Sequence, residues 1–81
     1  MSERALSDLK EREEGVVSRL ELPEALDRRM RALGFVPGSR VRVGKVAPLG
    51  DPVQYEVRGS IFCLRRSEAR HIHVVSVGGE A

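Results

Sequence analysis

The side chains suited to chemistry in this sequence are few. His71 and His73 stand two residues apart, so on an extended strand their imidazoles share a face and can ligate one ion. Cys63 or Glu68 adds a third ligand if the fold brings it close, but a closed structural zinc site needs four. Two histidines on an exposed strand face are more often plain surface residues. The sequence therefore assigns no resident metal or cofactor, and His71 and His73 are its metal candidates. Cys63 sits mid-strand with no base on its own face, the pattern of a small buried hydrophobe rather than a nucleophile. Ser67 reads as a helix cap, and Glu13-Glu14 lies in a solvated run. Neither a Gly-x-x-x-x-Gly-Lys-Ser/Thr loop nor a Gly-x-Gly-x-x-Gly turn is present. No enzymatic activity is predicted.

Two other groups could recognise a partner. Arg28, Arg29, Arg31, Arg40, Arg42, Lys45, Arg58, Arg65, Arg66 and Arg70 supply a basic face of the kind small barrels use on nucleic acid. The interleaved exposed aromatics are missing, since Tyr55 falls on the apparent core face, so nucleic acid is the alternative and not the expected partner. The second group is Ala47-Pro48-Leu49-Gly50-Asp51-Pro52, a loop dense in turn formers with an apolar tip. Leu49 is either tucked back onto the sheet or offered to a partner. A rigid loop loses little entropy on docking. Pro48, Leu49, Gly50, Asp51 and Pro52 are thus the candidate contact residues. Leu49 is the anchor, and Arg28, Arg29 and Arg31 are rim charges that steer encounter.

These residues must be positioned by a small set of elements, organised around Met30–Gly38. Leu22, Leu26, Met30 and Leu33 fall on one stripe at helical spacing, after Pro23 in the first turn. Gly34 can close that helix in the left-handed conformation, and Phe35 can fold back onto Leu33 or Met30. Pro37-Gly38 then turns the chain into a strand beginning at Arg40. Val16–Leu20 reads as a first strand. Val41 and Val43 alternate with Arg40 and Arg42, and Gly44 breaks the parity before Val46, as a bulge does. Val53, Tyr55 and Val57 form a clean strand pattern. Gly59-Ser60 fits a two-residue hairpin turn, and Ile61–Arg65 returns. One helical turn, Glu68–Arg70, precedes a last strand with Ile72 and Val74 on one face. Ala5–Leu9 offers two leucines three apart, a short turn that caps one end of a core.

The spacing predicts a mainly β chain: a small antiparallel barrel of about five strands with one α-helix after the first. Residues 1–81 read as a single domain, with 1–4 and 78–81 frayed. With 81 residues, 41% hydrophobic and 32% charged, the composition is ordinary for a globular domain. Aromatics at 4% disfavour a base-stacking platform. One cysteine excludes an internal disulfide. No apolar run spans a membrane and no signal-peptide pattern opens the chain, so a cytoplasmic protein without direct membrane insertion is expected. Residues 1–27 carry four basic and eight acidic side chains, and residues 28–81 carry ten and four. That asymmetry is explained if the two parts neutralise each other in space, the favoured reading, and otherwise points to an acidic partner surface or nucleic acid. Exposed strand edges also give a small barrel the means to pair with itself.

Taken together, Leu33-Gly34-Phe35-Val36-Pro37-Gly38, Val41-Arg42-Val43, residues 47–52, Gly59, Leu64-Arg65, Glu68-Ala69 and Ile72 resemble the FeoA family of ferrous iron transport proteins. Leu6–Lys10 and Gly15-Val16-Val17 extend the likeness from about Leu6 to Val77. The resemblance implies an SH3-like β-barrel with an inserted helix and no catalytic residues. It implies a cytoplasmic regulator or adaptor, membrane-associated through its partner, that binds FeoB, a permease with a cytosolic GTP-binding domain. A metal-sensing interaction module is a further alternative within the same iron biology. The family often carries Pro-Gly where this chain has Glu11-Arg12, so a looser turn is expected there.

Overall fold

The computed structural model describes residues 3–77, and the expectations for residues 1–2 and 78–81 lie outside them. In chain order the elements are β1 (Glu3–Ala5), a 3-10 turn (Leu6–Asp8), β2 (Glu14–Leu20), α1 (Glu24–Leu33), β3 (Arg40–Val46), β4 (Val53–Val57), β5 (Ser60–Leu64), α2 (Arg66–Ala69) and β6 (Ile72–Ser76). The six strands form one antiparallel sheet in the order β1-β6-β2-β3-β4-β5. This is the mainly β architecture with an inserted helix that the alternating patterns predict. The sixth strand comes from residues expected to fray. Glu3 and Arg4 instead pair with Val75 and Val74 of β6. Side chains of β2 hold Glu3 as well. The Arg19 guanidinium meets the Glu3 carboxylate at 3.1 Å, and the Ser18 hydroxyl donates to Glu3 at 2.8 Å.

One face of the sheet is buried. Val17, Val41, Val43, Val53, Tyr55, Val57, Leu64, Ile72 and Val74 line it, each two residues from the next within its strand. Leu6 and Leu9 of the N-terminal turn, Met30 of α1, Phe35 and Ala69 complete the core. The two leucines three apart therefore do cap the core. Each large apolar side chain buried this fully contributes about 1.5–3 kcal/mol. The bulge expected at Gly44 is present, as a register shift between Val43 and Val46 against β4.

The helix corner follows from local chemistry. Gly34 stands at φ 113°, where a side chain would be strained. Its N–H donates to the Arg31 carbonyl and the Phe35 N–H to the Met30 carbonyl, both at 3.0 Å. This double closure brings Phe35 back onto Met30, and both are buried. Leu22, Leu26 and Leu33 pack half-buried against the same core. The Pro37-Gly38 turn is closed by the Ser39 N–H on the Val36 carbonyl and is tied to β2 by the Gly38 N–H on the Val17 carbonyl.

Two turns differ from expectation. The β4–β5 hairpin turns on Arg58 (φ 54°) and Gly59 (φ 79°), with Val57 opposite Ser60, so the turn lies one residue before Gly59-Ser60. Two successive left-handed residues match the twist of the flanking strands. The turn at Glu11-Arg12 is not loose. The Glu13 N–H reaches the Lys10 carbonyl, the Lys10 N–H reaches the Glu13 carboxylate, and the Arg12 N–H reaches the Val43 carbonyl. Arg12 is held at φ 74°, which suits glycine and strains arginine.

Opposite stability effects follow at the two left-handed positions. Gly34→Ala lowers unfolding stability by about 1–2 kcal/mol and Arg12→Gly raises it by about 1 kcal/mol, read from urea denaturation midpoints. Arg19 hydrogen bonds hold the carboxyls of Glu3 and Glu21 below their ordinary value of 4.5. The native state thus binds fewer protons there than the unfolded chain, so the stabilisation is present above that value and lost as pH falls through the lowered one. The midpoint falls as the pH drops below the ordinary carboxyl value of 4.5, less steeply in Glu3→Gln.

Candidate functional site

The 47–52 loop joins β3 to β4 and carries the most exposed large apolar side chain of the described residues. Leu49 is 95% exposed, so the choice between tucking back and standing free falls to the second. The loop that presents it is nonetheless fastened at both ends. The Ala47 N–H donates to the Pro52 carbonyl at 3.1 Å, and the Gly50 N–H donates to the Ala47 carbonyl at 2.7 Å. The Asp51-Pro52 peptide is cis.

The stronger fastening comes from Arg66, which follows the other strand of the hairpin. Its Nε donates to the Gly50 carbonyl, its Nη1 donates to the Ser7 carbonyl at 2.8 Å, and its own backbone N–H donates to Asp51 Oδ1 at 2.9 Å. One residue thus ties the loop to the N-terminal turn and to the start of α2. Asp51 caps α2 from outside the helix, and Glu68 accepts the Arg65 N–H at 3.1 Å. Ser67, expected as the cap, is exposed inside the helical turn. The phenol of Tyr55 lies within electrostatic reach of both Arg66 and Asp51, and burial pushes its pKa up to about 12.

Behind the loop lies a shallow groove of about 270 Å³, lined by Lys45, Val46, Ala47, Pro48, Pro52, Gln54 and Cys63. Cys63 is not the buried hydrophobe its apolar neighbours suggested. Phe62 and Leu64 take the inward positions of β5, and Ile61 and Cys63 face outward. Ile61 is 64% exposed, and its two-residue offset from Cys63 continues the same face.

The remaining candidates are dispersed. Arg28 pairs with Glu24 at 3.0 Å and Arg31 with Asp27 at 2.8 Å, both within α1. Among the described residues no hydrogen bond or ion pair links Arg28, Arg29 or Arg31 to the 47–52 loop. Arg40 pairs with Glu14, so part of the acidic first third does neutralise the basic remainder. Arg66 spends its guanidinium on two carbonyls. Tyr55 and Phe35 are buried, and Phe62 packs half-buried with its ring centroid 6.1 Å from that of Phe35.

The histidines do not share a strand. His71 stands in the turn ahead of β6, while His73 is on it, 2.8 Å from the Glu21 carboxylate. Cys63 is on β5, separated from β6 by β2, β3 and β4, and Glu68 is engaged at α2. Among the described residues no group of three or more His, Cys, Asp or Glu is arranged to hold a metal ion. No helix among the described residues is long and apolar enough to cross a membrane.

A six-stranded antiparallel sheet with one inserted helix, a capping N-terminal turn and a clamped β3–β4 loop defines a small SH3-like domain. The chain belongs to the FeoA domain family, whose pattern matches residues 4–76. It is 34% identical over 76 residues to a Porphyromonas gingivalis Fe(2+) transport protein A/Fe(2+) transporter FeoB fusion protein, with 94% of this chain aligned. The chain spans only 9% of that relative's length. The solution structure of the Chlorobium tepidum FeoA protein superposes with a TM-score of 0.88 at 35% identity, covering 95% of this chain and 73% of the other. A Stenotrophomonas maltophilia FeoA, an SH3 domain protein crystallised with zinc, gives 0.75 at 37% identity over 85% and 86%. The family is one of ferrous iron transport.

Sequence reasoning missed Arg66 as a positioning residue, because nothing local distinguishes it from the nine other basic side chains after residue 27. Replacing it tests the clamp. Arg66→Ala leaves the Gly50 and Ser7 carbonyls without their donor and costs about 1–3 kcal/mol in urea denaturation. The Gly50 amide then exchanges with solvent faster than in the wild-type chain, while Val43 and Tyr55 amides keep their protection. Arg66→Lys, which cannot span both carbonyls, falls between the two.

Proposed function

We propose that this chain is a non-enzymatic accessory of ferrous iron transport that docks on FeoB through the clamped 47–52 loop. The observation that carries the reading is Leu49, an apolar side chain 95% exposed at the tip of a loop fastened by Arg66 and Asp51. Exposed and held is the state an anchor needs. Its burial in a partner gains apolar area, and its loop has little freedom left to lose. Pro48, Gly50, Asp51 and Pro52 frame the anchor. Arg29, together with Arg28 and Arg31, acts at a distance on encounter rate, since exposed charges change association more than residence.

Two further points support the partner. The family is one of iron transport, and in the Porphyromonas gingivalis relative a matching segment is part of a FeoB fusion protein. Docking on a transporter places this chain at the cytoplasmic face of the membrane through its partner.

The test is direct binding to detergent-solubilised FeoB from the same source, at low and at moderate salt. Leu49→Ala is expected to weaken binding about tenfold or more, with the fold unchanged by circular dichroism. Joint replacement of Arg28, Arg29 and Arg31 by Gln is expected to slow association, most at low salt, and to leave dissociation nearly unchanged. Binding that Leu49→Ala leaves untouched sinks the loop as the anchor.

A further inference from the structure

The two edges of the sheet are built differently. β1 is three residues long and carries Glu3 and Arg4, so charge and brevity blunt it. β5 is five residues long, contains no charged residue, and pairs only with β4. Antiparallel pairing settles which backbone groups of β5 are left over. A two-residue hairpin makes Val57–Ser60 a hydrogen-bonded pair, so the pairs Tyr55–Phe62 and Val53–Leu64 are hydrogen-bonded in turn. Ser60, Phe62 and Leu64 therefore spend their N–H and C=O groups on β4. Those of Ile61 and Cys63 point out from the sheet edge. Among the described residues no turn, loop or cap hydrogen bond takes them. The ladder ends at Arg65, whose N–H goes to Glu68.

The side chains of the same two residues are exposed on the outer face, and the apolar groove walled by Pro48 and Pro52 opens beside Cys63. Arg58 and Arg65 stand before and after the edge. Both are exposed, and neither is in an ion pair among the described residues. Antiparallel self-pairing of a second copy about Phe62 brings the arginine-bearing ends, Arg58 of one chain and Arg65 of the other, together, which like charge disfavours.

We infer that β5 accepts an extended acidic segment of a protein partner as an added antiparallel strand, with apolar side chains set opposite Ile61 and Cys63 and carboxylates near Arg58 and Arg65. Main-chain hydrogen bonds to Ile61 and Cys63 supply the pairing, the groove beside Cys63 receives one apolar side chain, and the arginines select for charge. The inference deepens the docking reading and rests on it for the identity of the partner. The geometry of the edge is independent of that identity.

The test uses a synthetic peptide, Gly-Asp-Thr-Val-Thr-Val-Thr-Asp-Gly, titrated into the isotope-labelled full chain and followed by backbone amide shifts. Saturable shifts centred on Ile61 and Cys63, slower exchange of those two amides, and loss of binding when the peptide's two Asp are changed to Lys are expected. Ile61→Pro removes an edge donor where an edge strand tolerates proline, and Ile61→Lys blunts the edge while keeping its backbone; each is expected to weaken binding at least tenfold. No shift at Ile61 and Cys63 at millimolar peptide, shifts confined to other strands, or equal binding of the Lys peptide overturns the inference. The parallel arm measures exchange on FeoB binding. FeoB bound with Ile61 and Cys63 unprotected overturns strand addition and leaves loop docking intact. Peptide bound as expected but FeoB not bound removes the transporter and leaves the edge site.

Discussion

The structure depends on giving one sheet face of valines enough cover to exclude water. With two phenylalanines, one tyrosine and no tryptophan, no single large side chain can fill the interior. The corner after α1 does it instead. Gly34 ends the helix in a conformation that returns Phe35 onto Met30, and both are removed from solvent over the sheet. Remove that closure and the helix has no fixed place, because its own stripe of Leu22, Leu26 and Leu33 is only half-buried. Most of its stability comes from packing, as expected for ten residues.

The same core supports the exposed loop. Arg66, the first residue of α2, reaches back to two carbonyls, one in the loop and one in the N-terminal turn. A guanidinium has the reach and the donors to do this, and an ammonium has not. Buried sheet, clamp and protruding Leu49 thus form one mechanical series. An apolar tip on such a loop exchanges little conformational freedom for contact area when it docks. The free edge of β5 lies beside this loop, and the groove there is walled by Pro48 and Pro52 of the loop and by Cys63 of β5.

Much of this was legible in the residues. Strict alternation in Val53–Val57 and Arg40–Val43 marks strands buried on one face, and Leu-Gly-Phe with Pro-Gly behind it marks the helix corner. Other parts were not. Glu3 and Arg4 have no strand pattern of their own and are ordered by Val74, Val75 and Arg19, which are far away in sequence. The hairpin turn slipped by one residue because Arg58 accepts a left-handed conformation that its type does not announce. Cys63 faced outward because the inward parity of β5 belongs to Phe62 and Leu64.

What the sequence determined alone was local: where backbone dihedrals are forced by glycine and proline, and where polarity alternates with a strand's period. Those signals act between neighbours and need no knowledge of the rest of the chain. What only the tertiary structure decided was the direction and partnership of single side chains. Leu49 outward, Arg66 inward across the loop, His73 against Glu21 and Cys63 separated from His73 by three strands all depend on which strands lie side by side. Strand order is set by the joint burial of the whole apolar face, and no short stretch of residues carries that information.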